Sequence, residues 1–205
     1  MSRILAIDTT TEFGSLALVE ADRVLDEVLL HCAEGYGHVL WEHLERLLAR
    51  HGVRVGLAAA KGLAEGHVKP VVAVSNLAAV AWFGTAALRA VVVDARRGEI
   101  YGAVYNAALE PVSPEVVTRF PDWLRSLPDG ELEFLSPDFA PFRAALAGTR
   151  FEHMPLREVP RALAGAIGLI AATRLRKGLA QDPALIDANY VRRSDAERFW
   201  QDKLG

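Results

Sequence analysis

Two short polar turns carry the residues best equipped for chemistry. The first is Asp8-Thr9-Thr10, set between the apolar runs Ile4 to Ile7 and Ser15 to Val19. A carboxylate followed by hydroxyls and backbone N–H groups can face a phosphate, with Asp8 near a metal. The same residue types also make a turn that satisfies its own backbone, and short patterns of this kind match many unrelated chains. The second is Asp94-Ala95-Arg96-Arg97-Gly98. There Arg96 or Arg97 could reach an anion, or the stretch could simply be a charged hairpin turn. Spacing alone leaves both readings open at each turn.

The turns are two copies of one pattern. Leu5 to Val19 can be laid over Val91 to Tyr105, each an apolar strand ending in Asp, a polar turn and a second strand at the same offset. A repeat this far apart points to two related halves rather than a solenoid, whose periods are roughly 20–50 residues.

Other candidates are weaker. The six histidines form no metal set. His38 and His43 are five apart on an expected helix and so face differently. His31 and Cys32 are adjacent on a strand and point oppositely. Gly56 to Gly62 lacks the order of a phosphate-binding P-loop and reads as a small-residue helix. No Gly-x-Ser-x-Gly elbow is present, so a Ser-His-Asp hydrolase has little support. Arg192-Arg193 reads as a solvated face.

The elements that must position the turns follow from periodicity. Arg23 to Leu30 reads as a third strand. His38 to Arg50 reads as a helix, with Leu40, Leu44, Leu47 and Leu48 on one face and Glu42 and Arg46 able to pair on the other. A second helix is expected from about Val55 to Ala64. Pro70 to Val74 is a candidate buried strand, and Ser75 a candidate N-cap for a helix Asn76 to Phe83. In the second half, strands are expected at 89–94, 99–106, 112–118 and 132–135, and short helices at 121–127 and 141–147. Pro160 to Lys177 is the best helix of this half, with Pro160 in its first turn and Gly178 past its end. The stripes Leu44/Leu47/Leu48 and Leu57/Ala60/Leu63 either cover the chain's own sheet or join another chain through a helix–helix interface.

Composition bounds the function class. The chain has 205 residues, 51% hydrophobic, which suits one domain or two small ones with a real core. Its net charge of −3 argues against strong nucleic-acid binding by this chain alone. With one cysteine, Cys32, no internal disulfide can form. No stretch approaches the ~20 apolar residues of a membrane span, and the start lacks a signal-peptide core. A soluble, cytoplasmic protein is expected.

Taken together, Ile4 to Thr11, Val55 to Ala64, Val93 to Tyr101 and Tyr190 to Glu197 closely resemble the bacterial TsaB (YeaZ) family. The matches lie in order and span most of the chain, least so over 111–157. The resemblance implies an α/β, actin-like ATPase fold of the ribonuclease H-like type. It implies two related subdomains, 1–88 and 89–205, each a mixed sheet flanked by helices, with the last helix packing back on the first. It also implies a non-catalytic subunit in making threonylcarbamoyladenosine beside the tRNA anticodon. The expected partners are a TsaD-like paralogue, which is the catalyst, and a TsaE-like ATPase. The chain would be a homodimer when alone and would meet tRNA only through the complex. No metal and no required cofactor are implied, and ATP or ADP would sit at a complex interface. Family members pair through the first helices of the N-terminal half, which here places the partner interface at His38, Trp41, Leu44, Leu48, Val55, Ala58, Ala59 and Gly62.

The chain departs from the family pattern between those helices. A strand and a Gly-Pro-Gly-Ser-Phe-Thr-Gly loop are expected there, whereas His51-Gly52 runs straight into Val53-Arg54. The loss would strand Val71 to Val74 away from the first strand or force it inward, with its backbone groups to be satisfied elsewhere. Two other readings use the same residues. An active ATPase or sugar-kinase-type enzyme needs Asp8, a second acid and glycine-rich adenosine loops, and the second half has no such loop. A peptidase-like regulator needs a nucleophile–base set, which the sequence does not supply.

Overall fold

The computed structural model describes residues 3–33, 35–37, 39–50 and 69–182. The expected helix at Val55 to Ala64 and the stretch Tyr190 to Glu197 lie outside the described residues, as do His38, Val55, Ala58, Ala59 and Gly62. In chain order the elements are β1 (Arg3–Asp8), β2 (Phe13–Glu20), β3 (Arg23–His31), α1 (Leu40–Arg50), α2 (Asn76–Ala81), β4 (Leu88–Asp94), β5 (Ile100–Asn106), β6 (Pro111–Thr118), α3 (Phe120–Ser126), β7 (Leu132–Ser136), α4 (Arg143–Leu146), β8 (Leu156–Glu158) and α5 (Ala164–Arg176).

They group into two units, the described residues of Met1–Ala79 with Pro160–Ile186, and those of Val80–Val159. The chain therefore changes units inside α2, a few residues before the 88/89 division read from sequence. It also returns α5 to the first unit, because α5 packs across β1, β2 and β3.

The first unit is built on an antiparallel sheet in the order β1-β2-β3. Alternation gives that sheet two apolar faces. Leu5 pairs with Leu18 and Ile7 with Leu16, and this face meets Leu44, Leu47 and Leu48 of α1. The other face is small, with Ala6 opposite Ala17 and Ile4 opposite Val19. There α5 approaches so closely that a Cβ at Gly168 would stand 2.4 Å from Val19 Cγ2. The helix starts at Ala164, four residues later than its Pro160 suggested. Its end is a Schellman turn, with Leu179 N–H donating to Arg174 O at 3.0 Å, Gly178 N–H to Leu175 O at 3.0 Å, and Gly178 at φ +71°.

Val71 to Val74 corrects one expectation. It is not a buried strand. Val71 exchanges backbone hydrogen bonds with Gln181 at 3.0 and 2.8 Å, and Arg174 donates to Ala73 O at 2.7 Å. Among the described residues no strand lies beside this segment, and its Val71 and Ala73 groups are instead paired with Gln181, after α5, and with Arg174 in the last turn of α5.

The second unit holds a five-stranded mixed sheet in the order β6-β5-β4-β7-β8. β4, β5 and β6 pair antiparallel, whereas β7 and β8 run parallel. Its core is aromatic, with Phe120, Trp123, Phe134, Phe142 and Phe151 in mutual ring contact. The three-residue β8 was not anticipated, being too short to show a period.

On the other face of this sheet Glu133 is almost fully buried. It accepts from Thr85 N–H at 2.7 Å and Ala86 N–H at 3.1 Å, and it pairs with Arg157. Burial alone would raise its pKa, but the Ala86 and Thr85 amides and the Arg157 guanidinium outweigh that and hold the carboxyl below 4.5. A depressed folded-state pKa contributes stability that is present above the unfolded value and lost as pH falls through it. Unfolding free energy should therefore drop as the pH is lowered below about 4.5. Glu133→Gln should be less stable at pH 7 and should flatten that acid limb, as read by urea midpoints across pH. An unchanged limb would show that other carboxylates set it.

Candidate functional site

Asp8 ends β1 and is 3% exposed. Its Oδ1 accepts three hydrogen bonds, from Thr10 N–H at 3.1 Å, Thr10 Oγ1 at 2.8 Å and Asn76 Nδ2 at 2.9 Å. Asn76 Nδ2 also donates to Thr10 Oγ1 at 2.8 Å, which closes a knot between the turn and the start of α2. Ser75 fulfils its expected role, its Oγ accepting from Leu77 N–H at 3.1 Å. Thr9 and Thr10 remain exposed. The turn thus holds one carboxylate oxygen in its own network, while Oδ2 accepts no hydrogen bond among the described residues.

Tyr36 closes the turn from one side. Its hydroxyl donates to Thr11 O at 2.6 Å, and its ring lies over Gly14. Burial, then Asp8, Cys32 and Glu12, push the phenol pKa up, against a hydrogen bond with the Gly14 backbone. Asn76 and Tyr36 both escaped the sequence reading. Asn76 was legible only as a helix start and Tyr36 only as part of a Gly-rich break.

The second turn is built differently. Asp94 is exposed, and its Oδ1 accepts from Arg96 N–H at 2.8 Å. Ala95 N–H donates to Glu99 O at 3.0 Å and Glu99 N–H to Arg96 O at 3.1 Å. Arg96, Arg97 and Gly98 are all left-handed, at φ 64°, 58° and 75°. Such a conformation costs a non-glycine residue roughly 1–2 kcal/mol, so the hairpin closure and the Asp94 carboxylate hold Arg96 and Arg97 in a strained turn. Gly98 announced one such position, but nothing in the sequence announced the two arginines.

The expected partner residues divide. Leu44 and Leu48 are 4% and 5% exposed and belong to the core with Leu16, Leu18 and Leu30. This corrects their assignment to a partner interface, because their side chains are consumed by the chain's own sheet. Trp41 packs half-buried at the edge of the same cluster, and Glu42, Glu45 and Arg46 form the exposed side of α1.

Among the described residues no group of three or more His, Cys, Asp or Glu could hold a metal ion. No helix among them is long and apolar enough to cross a membrane.

Comparison with known proteins gives three concordant findings. The family model for TsaD, tRNA N6-adenosine threonylcarbamoyltransferase, matches residues 50–140. The chain is 31% identical over 149 residues to the tRNA threonylcarbamoyladenosine biosynthesis protein TsaB of Bacillus subtilis, covering 60% of this chain and 65% of that protein. A Pseudomonas aeruginosa structure described as similar to peptidase YEAZ superposes with a TM-score of 0.75 at 23% identity, over 94% of this chain and 100% of the other. The chain is thus similar to proteins of the TsaB/YeaZ kind. YeaZ from Pseudomonas aeruginosa also superposes, with a TM-score of 0.65 at 22% identity over 90% and 97% of the two chains. These structural likenesses establish the actin-like fold, in which the Asp8 and Asp94 hairpins are the opening hairpins of two related sheets. The Bacillus match spans less than two thirds of that TsaB protein's length.

Proposed function

We propose that this chain is a TsaB-like, non-catalytic subunit that pairs with a TsaD-like paralogue and a TsaE-like ATPase. In that role it supports threonylcarbamoyl transfer to adenosine beside the tRNA anticodon. The observation that carries this reading is the double match, to a protein named for threonylcarbamoyladenosine biosynthesis and to the TsaD family model over 50–140. The use of Asp8 Oδ1 within its own turn favours a structural role for that carboxylate over general-base chemistry. The chain works in the cytoplasm, is a homodimer when alone and meets tRNA through the complex. It requires no cofactor of its own, although ATP or ADP at the complex interface would be faced by Asp8, Thr9 and Thr10 or by Asp94, Arg96 and Arg97. The partner surface lies around His38 and Trp41 with Val55, Ala58, Ala59 and Gly62.

The test is reconstitution of tRNA threonylcarbamoylation from TsaD, TsaE and the threonylcarbamoyl-AMP synthase, with and without this chain. Product should require the chain, and the chain should co-elute with TsaD. Equal product without it would overturn the proposal. Steady ATP hydrolysis by the chain alone, abolished by Asp8→Ala, would replace it with an ATPase or kinase.

A further inference from the structure

The segment that leads into α2 is fastened at both ends and buried nowhere between. From 69 to 76 no residue is buried, whereas Leu77 to Ala81, directly after it, all are. One fastening is to the end of α5 and the residues after it. Val71 N–H donates to Gln181 O at 3.0 Å and Gln181 N–H to Val71 O at 2.8 Å, a pair that belongs to no strand ladder among the described residues. Arg174 Nη1 adds its bond to Ala73 O at 2.7 Å. The other fastening is Asn76, whose Nδ2 donates to Asp8 Oδ1 at 2.9 Å and to Thr10 Oγ1 at 2.8 Å.

A stretch held by partly exposed hydrogen bonds, with few buried apolar contacts, opens at lower free energy than the core beside it. Here the change from one kind of packing to the other falls at Asn76, so 70–76 can lift while α2 stays packed. Asn76 is also the residue that grips the Asp8 turn. Thr10 Oγ1 accepts from Asn76 and donates to Asp8 Oδ1 at 2.8 Å. Lifting Asn76 therefore removes one bond to Asp8 Oδ1 and the group that orients the Thr10 hydroxyl. We propose that 70–76 is a strap that opens as one local unit, with Asn76 as its catch, and that the residues after α5 thereby set how firmly the Asp8 turn is held. The fastenings suit a device that opens and closes, because each is a hydrogen bond that water can replace at small net cost. The strap is independent of the proposed function. Where that reading holds, the turn facing a nucleotide at the complex interface answers to whatever engages the residues after α5.

The test is hydrogen exchange on the full chain, read by NMR at the Val71 backbone amide and at the Asn76 side-chain amide. Both should report one common opening equilibrium, and both should exchange more readily than the Ala17 amide in the core of β2. Gln181→Pro removes the N–H that Val71 O accepts. Loss of one hydrogen bond is worth roughly fivefold in an opening equilibrium, so this variant should speed exchange at the distant Asn76 side chain by that factor. Asn76→Ala should in turn speed exchange at Val71, since coupling between two sites is reciprocal. The two variants act from opposite ends, so one that failed to fold would leave the other to decide. A Val71 amide as slow as Ala17, an Asn76 rate indifferent to Gln181→Pro, or a Val71 rate indifferent to Asn76→Ala would overturn the strap. Product formed without the chain in the reconstitution above removes the functional reading and leaves these exchange results as they stand.

Discussion

Replacing Ser15 by alanine should lower the unfolding free energy by about 2–4 kcal/mol, from the loss of one acceptor shared by two buried donors. Ser15 is fully buried on β2, and its Oγ accepts from Leu163 N–H at 3.0 Å and Ala164 N–H at 2.8 Å. Those are among the first amides of α5, which has no side-chain cap of its own at Leu163. A helix start leaves its first N–H groups without intrahelical partners, and here the sheet supplies the acceptors. Glu27 Oε1 takes the next one, Gly165 N–H, at 2.7 Å. The alanine methyl fills nearly the same space, so the loss is one of hydrogen bonding rather than of packing. Glu27 still holds the third amide and the dipole, which keeps α5 formed and caps the loss. The urea midpoint should fall with an unchanged slope, and amide exchange should accelerate at Leu163 and Ala164. A loss under about 0.5 kcal/mol, the range of an ordinary surface change, would mean that water reaches these amides and that the sheet does not cap the helix.

This capping shows where sequence reasoning stops. Apolar runs, Asp-containing turns and the repeat itself are local patterns, and they placed β1 to β7 and α1 close to where they lie. The start of α5 was misplaced because Pro160 is a strong local signal, whereas Ser15 lies 148 residues from Leu163 and no local pattern connects them. Asn76 was hidden for the same reason, since its bond to Asp8 spans 68 residues. The strand expected at Val71 to Val74 failed because an apolar run becomes a strand only where a neighbour accepts its hydrogen bonds. The leucine stripe of α1 was correctly seen as one face, but a stripe does not say whether it meets the chain's own sheet or another chain. The structure gives Leu44 and Leu48 to the sheet through Leu16 and Leu18. Any partner contact on α1 must therefore use its other side and the half-buried Trp41.

Gly14→Ala should be comparably damaging, by about 2–4 kcal/mol, as an overpacking cost against a fixed backbone oxygen joined by the loss of a hydrogen bond. A Cβ at Gly14 would stand 2.6 Å from Asp8 O and 2.8 Å from both Tyr36 Cζ and Tyr36 Oη. The two neighbours differ in what they can yield. Asp8 is fixed by its pairing with Ser15 and by its knot with Thr10 and Asn76, so the backbone oxygen cannot retreat without disturbing the whole turn. Tyr36 can swing out, but it then gives up its 2.6 Å bond to Thr11 O. Its own carbonyl accepts from Val39 and Leu40 N–H at 3.1 and 2.9 Å, so the movement would reach the first turn of α1. Combining Gly14→Ala with Tyr36→Ala separates these terms, since residues in contact are not additive. The double variant should lose less than the sum of the single losses, because the ring clash vanishes, yet more than Tyr36→Ala alone, because the clash with Asp8 O remains. Strict additivity in denaturant midpoints would show that Tyr36 does not rest on Gly14, and the Asp8 turn would then be uncoupled from the helix that the proposed function offers to a partner.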